Sequence, residues 1–209
     1  MRVFPIGGLL RFAFAALVLG AVGRQLGVHL HLAFSVVNFF SYFTNLANIF
    51  AACVFLAGAR AAGVPGGRSR LFDTLRLINV ANMAVVGIVF SILLRKVDLG
   101  HLLPWVNVVV HYVMPIAVMA EWMIWPPRRR LDAADWSSCQ ILPIVFLAYT
   151  MARGRVTGWY PYPFLRPELV GGEMGVLAYV AAIVVVFLGA SGMAVGIANA
   201  RAAGAAGPA

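Results

Sequence analysis

Six apolar runs take up most of this chain, and their lengths leave few folds open to it. They extend from Ile6 to Val22, Ala33 to Phe55, Phe72 to Leu94, Leu103 to Trp125, Ser137 to Met151 and Gly175 to Ala198. A helix rises 1.5 Å per residue, so about 20 apolar residues cross a hydrocarbon core about 30 Å thick. The fifth run reaches that range only with its flanking residues. Of the 209 residues 62% are apolar, and mean hydropathy is +0.90, which leaves too little polar surface to coat a water-soluble globule. The expected fold is all-α, a polytopic membrane protein with six transmembrane helices in one bundle over 1–200 and a flexible Ala/Gly tail over 201–209. No stretch remains for a separate soluble domain.

The net charge of +9 falls mainly in short loops between the runs, where basic residues set topology rather than bind a polyanion. With the N-terminus inside, ten arginines lie at the cytoplasmic side: Arg2, Arg11, Arg60, Arg68, Arg70, Arg76, Arg128, Arg129, Arg130 and Arg201. Six basic residues lie outside: Arg24, Arg95, Lys96, Arg153, Arg155 and Arg166. The excess predicts that both termini are cytoplasmic. No continuous basic face or aromatic-basic platform is present, so nucleic acid is not an expected partner. Arg2 ahead of an apolar run has the look of a signal peptide. Arg11 interrupts that run and no A-x-A site follows, which predicts a retained first span with Arg11 snorkelling to lipid phosphates. Cys53 and Cys139 fall near the cytoplasmic ends of their spans and need no disulfide.

The second run is apolar yet carries Asn38, Ser41, Asn45 and Asn48 at steps of three, four and three. At about 100° per residue these form, with Thr44, a stripe roughly 120° wide on one continuous helix. Hydrocarbon would strip each amide or hydroxyl of its hydrogen bonds, so the stripe must face other helices or a wet cavity. Interhelical hydrogen bonding alone would also account for it. In the third run Asp73 and Thr74 read as an N-terminal cap, and Arg76, Asn79 and Asn82 give a second polar edge.

In the fourth run Asn107, His111, Met114, Val118 and Glu121 fall within about 40° of one line. Pro115 removes the amide that would bond the His111 carbonyl, which predicts a kink. His111 is the only histidine well inside a run, and an ionisable residue there is a functional candidate. Its structural alternative is a neutral imidazole bonded to a neighbouring Asn. Glu121 is expected to pair with an arginine of the 128–130 cluster. The first outer loop, Gly23 to Leu32, carries His29 and His31, a spacing that can ligate metal and that sits equally well among headgroups. Val156 to Leu165, VTGWYPYPFL, is too rich in proline for a spanning helix and suits a rigid interfacial lid or re-entrant cap.

Thr44 lies about eleven residues into its run and His111 about eight, which gives depths of about 16 and 12 Å if both spans run from outside to inside. A neutral His within reach can take the Thr proton as the hydroxyl attacks an ester carbonyl. An amide from Asn45, Asn48, Asn82 or Asn107 would then stabilise the oxyanion or orient the imidazole.

Three motifs now stand in order: Tyr42-Phe-Thr-Asn45, Asn107-x-x-x-His111 with Pro115, and Thr157-Gly-Trp-Tyr-Pro-Tyr-Pro-Phe-Leu165. Together they resemble the androgen-induced and androgen-dependent TFPI-regulating membrane proteins and their bacterial relatives. The resemblance covers nearly the whole chain, and the aromatic-proline motif is its most specific part. It implies a threonine hydrolase of fatty acid esters of hydroxy fatty acids, with Thr44 as nucleophile and His111 as its partner. It further implies a lipid substrate, no cofactor or metal, and a place in the inner membrane of a bacterium. The expected substrate-binding or oxyanion residues are Asn38, Ser41, Asn45, Asn48, Asn82, Asn107, Trp159, Tyr160 and Tyr162. Two other readings stay open. One is a non-enzymatic transporter or lipid-binding protein with a polar intramembrane cavity. The other is a metal-dependent hydrolase built on His29, His31 and His101.

Overall fold

The computed structural model describes residues 6–61, 69–98, 100–127 and 129–205, and among these the chain is helical, with no strand. Arg2, Arg68 and Arg128 of the charge count, most of the linker before Arg70, and the last four tail residues lie outside the described residues. Among the described residues five helices are long and apolar enough to cross a membrane: Ile6–His31, Phe43–Ala61, Arg70–Leu94, Pro104–Ile124 and Glu173–Gly204.

Helix α1 (Ile6–His31) is 26 residues long and absorbs the expected outer loop, so His29 and His31 occupy its last turn. Arg24, Gln25 and Leu26 are good helix formers, and Gly27, the one poor former before His31, does not break the ladder. The chain turns instead at Ala33, whose φ of 56° is left-handed. The second expected span is also divided. Helix α2 (Val36–Phe40) ends at Ser41, and α3 (Phe43–Ala61) begins two residues later. Polar side chains make the break by bonding backbone carbonyls. The Ser41 hydroxyl donates to the Val37 carbonyl at 2.7 Å, and the Asn45 amide donates to the Phe39 carbonyl at 2.7 Å. The polar stripe is therefore spread over two helices rather than laid along one.

Helix α4 (Arg70–Val89) is capped by the Ser69 hydroxyl and runs on as a π-helical turn, Phe90–Leu94. The fourth span is α5 (Pro104–Val108), a second π-turn (Val109–Val113) and α6 (Met114–Ile124). Pro115 has no N–H to close an α-helical bond with His111, and Met114 N–H bonds the Val109 carbonyl in π register. The proline therefore reshapes the ladder at His111. The run expected as a fifth span opens within α7 (Ala133–Ser138), where Asp132 and Asp135 form a capping box. Helix α8 (Ile141–Thr157) follows with 17 residues, about 26 Å. A 3-10 turn (Pro163–Leu165) and α9 (Pro167–Val170) lead into α10 (Glu173–Ala205), which carries the helix five residues past Ala200 into the expected tail.

Small residues set the packing. Ala15, Val18 and Ala21 of α1 and Ala47, Ala51 and Ala52 of α3 are fully buried, which lets the two backbones close. Helix α4 is central and packs on α3, α6 and α10. Both ends of the described chain lie at one end of the bundle, with Gly7 against the Trp125 ring and Asn199 bonded to Leu131. Helix α8 starts near that end, where Asp135 meets Thr74, and reaches the opposite end, where Arg153 meets Asn38. At the terminal end Arg11 is buried rather than snorkelling, and Glu121 pairs with Arg11 and Arg76 rather than with the 129–130 arginines. A carboxylate at that depth gathers the nearest cations, because an unpaired buried charge is far costlier than a paired one.

Candidate active site

The two π-turns meet at His111. Its Nε2 lies 3.3 Å from Thr44 Oγ1, and both residues are buried. On the other side of the ring Nδ1 lies 2.7 Å from Asn107 Oδ1 and 3.3 Å from the Asn107 backbone carbonyl. The carbonyl is an acceptor whichever way the amide is turned, so Nδ1 carries the proton and Nε2 is the acceptor. The Thr44 hydroxyl then donates to His111. The Phe90 ring stacks on the imidazole with centroids 3.8 Å apart and planes 16° apart, which fixes the plane of the base.

Thr44 is the second residue of α3, so its N–H has no carbonyl partner within its own helix. The aromatic-proline segment supplies an acceptor in its place. Helix α8 ends at left-handed Gly158 (φ 68°), and the chain folds back so that Tyr162 packs on Tyr42 and stacks on Phe164. The Tyr162 hydroxyl accepts from Thr44 N–H at 3.4 Å. The Tyr160 ring presses against Gly154 of α8, where no side chain would fit. The segment is thus no spanning helix, as its prolines predicted, and it folds back onto the first turn of α3.

Thr44 stands between two cavities. One, of about 360 Å³, is lined almost wholly by apolar side chains from α4, α8 and α10, among them Val86, Phe146 and Phe187. Ile144, Val184 and Leu188 line it and are also exposed, so it opens at the apolar outer surface between α8 and α10. The other cavity, of about 610 Å³, is lined by polar groups including Asn38, Asn45, His101, His111 and Arg166. Thr44, Phe90, Leu94 and Tyr162 line both and form the wall between them.

The remaining expected site residues divide. Asn38, Asn45, Trp159, Tyr160 and Tyr162 line the polar cavity, whereas Ser41, Asn48, Asn82 and Asn107 line neither. Ser41 bonds the Tyr149 hydroxyl at 2.7 Å. The Asn48 amide donates to the Thr44 carbonyl at 2.8 Å and to the Val110 carbonyl at 3.1 Å. Asn38 accepts from Arg153 at 2.6 Å, and that guanidinium lies over Trp159. Asn82 is fully buried and hydrogen-bonds neither member of the pair. Phe90 was legible only as one of 14 phenylalanines. Arg153 read as a topology charge, although its place just before the aromatic motif was a usable signal. Among the described residues no group of three His, Cys, Asp or Glu side chains is placed to hold a metal. Comparison with family models, with curated proteins and with solved structures finds no match to this chain.

Proposed function

We propose that this chain is an intramembrane threonine hydrolase that cleaves a lipid ester, such as a fatty acid ester of a hydroxy fatty acid. The observation that carries the reading is the Thr44 Oγ1 to His111 Nε2 approach of 3.3 Å, with Nδ1 held by Asn107. A buried hydroxyl facing an unprotonated imidazole nitrogen, on a wall between an apolar and a polar cavity, suits a substrate with a long chain on one side and polar groups on the other.

In the first step Thr44 Oγ1 attacks the ester carbonyl and its proton passes to His111 Nε2. The resulting imidazolium returns that proton to the leaving alkoxide, and the alcohol departs from an acyl-Thr44 ester. Water from the polar cavity then gives a proton to His111 and its oxygen to the acyl carbon. His111 finally reprotonates Thr44 Oγ1 as the acid leaves. Asn107 holds the tautomer throughout; being neutral, it orients the imidazolium without adding a charge.

The same proposal has six passes, with α8 as the fifth and both termini in the cytoplasm of a bacterial inner membrane. Helix α8 connects the two ends of the bundle, and the sequence places ten basic residues on one side and six on the other. The test is hydrolysis of a fluorogenic long-chain ester by purified protein in nanodiscs. Thr44→Ala and His111→Ala should each lower kcat by at least about 10²-fold. Unchanged turnover in both variants ends this reading, and substrate flux across liposomes without cleavage would favour a transporter.

A further inference from the structure

Of the Asn amides expected to hold the oxyanion only Asn45 lines a cavity, and one of its two N–H groups is taken by the Phe39 carbonyl. Asn45 and Asn48 donate to backbone carbonyls, and Asn107 accepts from His111. Asn48, Asn82 and Asn107 line neither cavity. A different hydroxyl stands at the reacting atoms. Tyr162 lines both cavities beside Thr44, and its oxygen already accepts the Thr44 N–H at 3.4 Å. We propose that Tyr162 is a catalytic residue whose phenolic O–H donates a hydrogen bond to the oxyanion formed when Thr44 attacks.

This rests on the ester-hydrolase reading and deepens it. A phenol whose oxygen accepts a hydrogen bond is a stronger donor through its own proton, because the two bonds polarise each other. The accepted bond comes from the first turn of α3, where unpaired N–H groups concentrate positive potential. No proton changes hands at Tyr162. The negative charge that develops on the carbonyl oxygen is met by a donor already in place, which is where electrostatic stabilisation lowers a barrier most. The rings of Tyr42 and Phe164, at 5.9 and 5.1 Å from that of Tyr162, hold the phenol there.

Tyr162→Phe keeps those ring contacts and deletes only the hydroxyl. It should lower kcat by about 10²-fold or more while KM changes less than about twofold. A trifluoromethyl ketone with the substrate's chain, to which Thr44 adds to give an anionic hemiketal, should bind the variant more weakly by a similar factor. An ether of the same chain, which forms no oxyanion, should bind both proteins alike. A purely structural role for Tyr162 would weaken ketone and ether together, and that result, or a kcat within threefold of the unaltered protein, overturns the assignment. Failure of the underlying reading looks different: Thr44→Ala and His111→Ala would then turn over ester as fast as the unaltered protein.

Discussion

The Asn48 side-chain amide donates at 3.1 Å to the Val110 carbonyl, the acceptor that the π-turn around His111 sets free. In an α-helix Met114 N–H would take that carbonyl, but here it bonds Val109. The same Asn48 amide holds the Thr44 carbonyl at 2.8 Å. One side chain thus ties the helix of the proposed nucleophile to the helix of the proposed base.

Asn48→Leu should therefore cost both stability and rate. The buried Val110 carbonyl would lose its donor, at about 1–3 kcal/mol, whereas the Thr44 carbonyl keeps the backbone N–H of residue 48 in the α3 ladder. With its tie to α3 gone, the Thr44–His111 distance is free to grow, and kcat should drop by about tenfold or more. Thermal unfolding in detergent and ester turnover check the two effects separately. A variant that loses stability while keeping full kcat would show that Asn48 supports the bundle and not the pair.

Phe90 and His111 each sit in a π-turn, and their stacked faces are the contact through which the third and fourth spans meet at the site. Phe90→Leu keeps an apolar side chain but leaves part of the buried ring's volume empty, at a cost of about 1 kcal/mol. The flat support of the imidazole is lost. Kcat should fall by about tenfold with only that small loss of thermal stability, and comparing the two readouts isolates the stacking from general packing.

Much of this arrangement could be read from residue spacing, and the rest was hidden for identifiable reasons. His111 and Thr44 stand out because polar groups inside apolar runs need a partner, and the structure brings them to 3.3 Å. The break at Ser41 does not stand out, since Asn38, Ser41, Asn45 and Asn48 fit a continuous helix as well as a divided one. Only the side-chain bonds to Val37 and Phe39 distinguish the two. Pro115 announced a disturbed ladder, but not the π register that it takes or the carbonyl it releases to Asn48. The partners of Glu121 come from 110 and 45 residues away in the chain, beyond any local pattern.

Outside the spans, Arg129 grips Asp135 through both carboxylate oxygens at 2.6 and 2.8 Å. That pairing holds the Asp135 carboxyl well below the usual carboxylate range, against the effect of its burial and with help from the Thr74 hydroxyl. A carboxyl whose folded value is depressed contributes stability above its unfolded value and loses it as pH falls through the folded one. The ordinary value is 3.8, so the loss sets in below about pH 4 and grows with further acidification. Asp135→Asn should flatten the acid limb of a thermal-stability profile and lower stability at neutral pH. An unaltered acid limb would mean that the clamp does not persist in solution.

The apolar cavity makes the last prediction, about which chains the protein accepts. Its wall reaches the apolar outer surface through Ile144 of α8 and Val184 and Leu188 of α10, so in the membrane setting proposed above a chain dissolved in the bilayer can enter sideways without first crossing water. Val184 is 44% exposed and lines the cavity at that opening. Val184→Trp would place a bulky ring at the mouth while leaving Thr44 and His111 untouched. Each methylene excluded from an apolar site forfeits about 0.8 kcal/mol, close to a factor of four. For esters of sixteen-carbon acids kcat/KM should fall by about tenfold or more, whereas butyrate esters, too short to reach the mouth, should be cleaved at the original rate. Equal losses for short and long chains would place the acyl group elsewhere, and the polar cavity would then be the side to fill.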